Sequence, residues 1–236
     1  MDKKLEKKWK KFTNSTDRNK LDILVKLSEQ DKSDEIAEFL FRAIEQEKYE
    51  KIRIKAIMIL KEYDDEKIVD KLSIFYGYER EKSVRLALVE AIGNMSSSKV
   101  EDLLQNVIEK DDNDIVRSMA IKNLHNRKKI GKAKMRNVLH DVIQNDHDVF
   151  PKQMALSVIE FYANNSSLEI LQKVFNREVK FKMRSLIYKT LSTIATKLKK
   201  ELDVEEPKEE TFEKTDKKEK KRRKKKKKEE EEHLFF

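Results

Sequence analysis

The chain contains no cysteine, which excludes disulfides, thiolate metal sites and a cysteine nucleophile. Glycine and proline are scarce, with three and two among 236 residues. Without them a protein cannot build many hairpins between strands. No apolar run approaches the roughly 20 residues that cross a bilayer, and the opening MDKKLEKKWKKF lacks the apolar core of a signal peptide. These absences read as a soluble, monomeric protein of the cytoplasm, or of the nucleus where the host cell has one. What is abundant is Leu, Ile, Lys and Glu, the composition of helices joined by short turns. The formal charge is +9, but both signs are dense, so bulk charge is only a mild pull towards anionic partners.

Self-similarity organises the rest. Ile52, Val84, Val116, Pro151 and Met183 open equivalent segments spaced by 32, 32, 35 and 32 residues. Four places on stand Ala56, Leu88, Ala120, Ala155 and Ile187, and eight places on Leu60, Ile92, Leu124, Ile159 and Leu191. Sixteen residues upstream runs a second register: Ile36, Ile68, Val100, Met135 and Ser167, then Leu40, Leu72, Leu104, Leu139 and Leu171, then Ile44, Tyr76, Ile108, Ile143 and Phe175. Both have the helical period, so each repeat is a hairpin of helix A and helix B. Capping boxes are expected at Ser98 with Glu101 and Ser166 with Glu169, where A helices should begin. The fifth-place B column (Ile57, Val89, Ile121, Leu156, Tyr188) is expected to face the next repeat, because a lone hairpin cannot bury enough apolar surface.

The B-helix openings IRIKAIMIL, VRLALVEAIG, VRSMAIKNL, PKQMALSVI and MRSLIYKTL resemble HEAT repeats of the short prokaryotic type, the lyase-like HEAT repeats. The resemblance covers about residues 33–197, with a degenerate sixth helix pair before it. It implies an all-α, right-handed α-solenoid of five to six hairpins. On function it is nearly silent, since such solenoids include scaffolds, bilin lyases, di-iron hydroxylases and DNA-alkylation glycosylases.

Residues 1–32 read as basic capping helices, with Leu5, Trp9 and Phe12 as a weak stripe among lysines; a membrane-surface helix is the alternative. Residues 198–236 read as a disordered Lys/Glu-rich tail, carrying the run Lys220, Lys221, Arg222, Arg223, Lys224, Lys225, Lys226, Lys227 and Lys228, then four glutamates and His-Leu-Phe-Phe.

Chemistry is hard to find. His125, His140, His147 and His233 have no metal-ligand spacing. His140-Asp141 and His147-Asp148 resemble the His-Glu pairs of the hydroxylases, but the symmetric partners are missing. The second, sixth and ninth B columns, expected on the concave face, are mixed and offer no aromatic stack for a flipped base. There is no phosphate loop and no nucleophile elbow. No cofactor is expected and no enzyme activity.

A basic column follows each B opening: Arg53, Arg85, Arg117, Lys152 and Arg184. It is expected to be structural, beside turn acids such as Glu50, Glu81, Asp114 and Asp148. Two other features point to a partner. The connection that is three residues longer than the rest carries Arg127, Lys128, Lys129, Lys132, Lys134 and Arg136, with no acid between Asp114 and Asp141. The lysine run in the tail could neutralise many phosphates. The reading that follows is a non-enzymatic scaffold for a protein partner. The alternative is a nucleic-acid-associated solenoid gripping phosphates through the 127–136 loop and the tail, and a HEAT-fold enzyme ranks last.

Overall fold

The computed structural model describes residues 3–127, 130–202 and 204–208. Twelve α-helices and one short 3-10 turn, with no strand, make up the described residues. The chain divides into two compact units, Met1–Val138 and Leu139–Phe236, and the division falls inside the ninth helix.

In the first unit the helices pair in chain order as hairpins: α1 (Lys3–Thr13) with α2 (Asp17–Ser28), α3 (Asp34–Gln46) with α4 (Glu50–Leu60), α5 (Glu66–Tyr78) with α6 (Lys82–Gly93), and α7 (Lys99–Lys110) with α8 (Asp114–Asn126). The B helices α2, α4, α6 and α8 stand side by side in a row, and α9 (Lys132–Asn145) follows. The second unit holds α10 (Val149–Ile159) beside α12 (Phe181–Leu198), with α11 (Asn165–Arg177) packed on α12. Within each unit consecutive helices pack as in an α-solenoid.

Local chemistry sets the helix starts. The side chains of Thr16, Ser33, Asp65 and Asn113 accept backbone N–H groups in the first turns of α2, α3, α5 and α8, satisfying donors that the helix itself leaves open. The two expected capping boxes are corrected. Ser98 already has helical dihedrals and makes no cap bond; instead Ser97 Oγ accepts the Lys99 N–H at 3.3 Å. On α11 the box lies two residues earlier, between Asn164 and Ser167. Asn164 is extended, so its side chain meets the Ser167 N–H at 3.3 Å while Ser167 Oγ accepts the Asn164 N–H at 3.1 Å.

The register holds in three dimensions. Every residue of the first, fourth- and eighth-place B columns is buried, and so is every A-column residue except half-buried Tyr76. Ile57, Val89, Ile121 and Leu156 are buried as well, whereas Tyr188 is half-exposed. At the N-terminal end Trp9 and Phe12 pack on Phe39, with ring centroids 4.9 and 5.2 Å away. Their faces are therefore committed to the core and unavailable to a membrane surface. Lys3, Lys7, Lys10 and Lys11 remain exposed. No described helix is long and apolar enough to cross a membrane. The expected tail lies mostly in residues 209–236, outside the described residues.

Candidate partner-binding surface

A surface can be assigned to a partner only after the groups that hold the stack together are set aside. The basic column is the first of these. Arg53 pairs with Glu79, and Arg85 pairs with Asp111 at 3.0 Å and also with Asp112. The expected partners Glu50, Glu81, Asp114 and Asp148 are thus replaced for these two arginines. A B-helix side chain leans towards its own N-terminus, which brings the guanidinium to the end of the following A helix rather than to its own first turn. Glu50 instead accepts the Ser83 hydroxyl of the next repeat.

The acids involved form a column that reading for apolar periodicity missed. Five places before each B opening stand Glu47, Glu79, Asp111, Asp146 and Glu178. Each of the last four accepts the backbone N–H two residues on, at 2.8 Å in every case, which pins the A–B turn. Glu47 accepts Lys20 Nζ at 2.8 Å, so Lys20 extends the basic column into α2. Aligning polar as well as apolar positions at the 32-residue spacing would have found it.

Asp111 is the centre of the tightest cluster. Tyr76 donates its hydroxyl to one carboxylate oxygen, Arg85 contacts both, and Arg117, itself buried, donates to the Asp111 carbonyl at 2.9 Å. Burial alone would raise the pKa of Asp111, but the Tyr76 hydroxyl, the Asn113 N–H and Arg85 outweigh it and hold the value below the ordinary one. Burial, helped by the hydrogen bond to Asp111, pushes the Tyr76 phenol up.

The opposite edge of the first unit is also laced. Asp64, in the left-handed region at φ 46°, accepts both the N–H and the hydroxyl of Ser96, its equivalent one repeat later. Arg127 donates to the carbonyls of Met95 and Ser97 at 2.7 and 2.8 Å. Its side chain is only 9% exposed, so this member of the basic connection braces the frame. Lys134 reaches Asp102 at 2.9 Å. The acid-free stretch in sequence is therefore faced in space by the first turn of α7. Lys132 is exposed and Arg136 half-buried. Lys128, Lys129 and the run Lys220–228 lie outside the described residues.

In the second unit the columns are filled differently. Lys152 forms no ion pair among the described residues, and Arg184 lies over the Phe175 ring at 4.4 Å. Ser167, in a column that is apolar elsewhere, is fully buried and bonds His140 Nε2 at 2.8 Å. Among the described residues no three His, Asp or Glu are grouped to hold a metal ion.

The frame of the first unit leaves Ile74 59% and Tyr78 83% exposed on α5, and leaves a partly covered apolar strip on the outward face of the first B helices. Leu21, Ile54 and Leu86 in the second-place column, with Met58 in the sixth, are half-buried, and Val25 is 40% exposed. From α8 onward the same columns carry Ser118, Lys122, Gln153, Ser157, Ser185 and Lys189. Exposed charges of both signs flank the strip, Asp17, Arg18, Lys51, Glu81 and Lys82 at the helix starts and Lys26, Glu29 and Glu62 at the helix ends. Gly93, expected on this open face, is instead covered by Asn123, whose amide donates to the Val89 carbonyl at 2.9 Å.

A search of curated proteins finds no match to the chain. The family model for HEAT repeats matches residues 37–125 and 77–160, together more than half of the chain, on the segments whose hairpins and ladders are described above. Such repeats are helical scaffolds for protein interaction, and this chain belongs to the HEAT-repeat family.

Proposed function

We propose that the protein is a non-enzymatic adaptor that binds a protein partner across the outward face of α2, α4 and α6. The observation that carries the reading is the partly exposed strip Leu21, Val25, Ile54, Met58 and Leu86, which runs across three neighbouring B helices of a stack braced by ion pairs. Adjacent helices are spaced about 8–10 Å apart, so three of them offer about 20 Å, the length of an amphipathic helix of about 13 residues at 1.5 Å each.

A photo-crosslinking residue placed at Met58 in the full chain should capture a discrete protein in the native cell, and one at exposed Asn106 on α7 should not. Capture that is equal from both positions, or lost from neither in Val25→Glu, sinks the reading. The nucleic-acid alternative draws on Lys132, Arg136 and the lysine run. Binding to mixed-sequence DNA that falls steeply with salt would support it.

A further inference from the structure

The A–B edge of the second unit carries apolar groups that nothing described covers. Phe150 is 55% and Val179 78% exposed, with Val149 at 39% beside them. Val149 and Phe150 open α10, and Val179 lies in the turn just before α12. These two B helices pack together, and Phe150 and Val179 both lie at their N-terminal ends. The setting is charged, with the cations Lys152, Arg177, Lys180 and Lys182 outnumbering the acids Asp146, Asp148 and Glu178. Arg177, Lys180 and Lys182 are exposed, and Lys152 has no ion pair among the described residues. In the first unit the equivalent cations are bound by Glu47, Glu79 and Asp111. Here the equivalent acid, Glu178, keeps the turn bond to the Lys180 N–H but pairs with no cation among the described residues. Such a patch fits a short segment that carries several carboxylates next to bulky apolar side chains.

We propose that this edge is the docking site of the chain's own residues 229–236, EEEEHLFF. Four glutamates meet Lys152, Arg177, Lys180 and Lys182, and Leu234, Phe235 and Phe236 meet Val149, Phe150 and Val179. Reach is no obstacle. The twenty residues from 209 to 228 can span about 66–72 Å when extended, and α12, with 18 residues, is about 27 Å long. Tethering also raises the effective concentration of the segment to about the millimolar range, so a weak contact suffices. The run Lys220–228 has the sign of the patch, so the glutamate end is the complementary segment.

Because the chain has no cysteine, His233→Cys gives a unique thiol for a nitroxide label in the full-length protein. The amide signals of Val149, Phe150 and Val179 are expected to lose most of their intensity to the label, unchanged on dilution. They should recover in Val179→Glu, an exposed turn position whose melting temperature should stay put. Full intensity at these three residues overturns the proposal. So does broadening seen only between separately labelled copies, which would place the segment of one molecule on another. Broadening that ignores Val179→Glu and vanishes with salt would be diffuse charge pairing, and overturns it as well.

Discussion

The two units are built on one register but closed by different chemistry. In the first unit the basic residue of one repeat reaches the turn acid of the next three times in succession, at Lys20–Glu47, Arg53–Glu79 and Arg85–Asp111. The second unit keeps the acid Glu178 as a turn cap and has lysine at position 152, but the two do not pair. It uses an arginine over Phe175 and a buried His140–Ser167 bond instead. The apolar columns run through both, broken at Ser167, so they define the fold, whereas the polar columns pair differently in the two units. Exposed apolar groups stand at the A–B turns of both units, Tyr78 and Ile115 in the first and Phe150 and Val179 in the second, but in the first the arginines beside them are paired and in the second Lys152 has no ion pair among the described residues.

The largest effect should come from the centre of the ladder. Asp111 has its side chain 2% exposed and binds Tyr76 and Arg85. Asp111→Ala leaves Arg85 without its main counter-charge, and breaking a buried pair in this way costs about 3–5 kcal/mol, read by urea unfolding. The folded pKa of Asp111 is lowered, so its contribution is complete above the ordinary carboxylate range and is lost as pH falls through the lowered value. Asp111→Asn should therefore flatten the acid limb of the stability–pH curve. An unchanged limb would mean that the cluster does not hold the carboxylate ionised.

Next comes the row of B helices. A methyl at Gly93 would stand 2.6 Å from Asn123 Cβ, so Gly93→Ala must displace the amide that satisfies the Val89 carbonyl. A cost of about 1–3 kcal/mol is expected from overpacking. At Gly77 nothing lies within 4 Å, and Gly77→Ala should be neutral or stabilising. Equal effects at the two glycines would remove the case for close packing between α6 and α8.

Much of this was legible in the residues. The 32-residue spacing and its apolar columns place every helix from α3 to α12, because burial of one helical face is a local, periodic demand. The basic column was legible as structural, but its partners were not. Which carboxylate a guanidinium meets depends on how far one repeat is rotated on the next, and no spacing encodes that. Arg127 shows the same limit. In sequence it belongs to a charged connection, yet in space it binds the carbonyls of Met95 and Ser97 one repeat back. Ser166 with Glu169 matched a capping pattern, but Asn164 with Ser167 competes for the same turn and closes it first.

The smallest and most discriminating effect concerns two members of the acid column, Glu79 and Glu178. Each accepts the N–H two residues on at 2.8 Å, and a glutamine can still do so through its carbonyl. They differ in that Glu79 also holds Arg53, with side chains 8% and 14% exposed. Glu79→Gln therefore removes a charge-assisted bond and should cost about 1.5–3 kcal/mol, whereas Glu178→Gln should stay within about 0.5 kcal/mol. Thermal melts of the two variants beside the parent decide it. If both are silent, the ion pairs of the first unit decorate a stack that apolar packing alone maintains. If both are costly, Glu178 has a cationic partner in solution, and Lys152, 26 residues before it in the register, is the group to test.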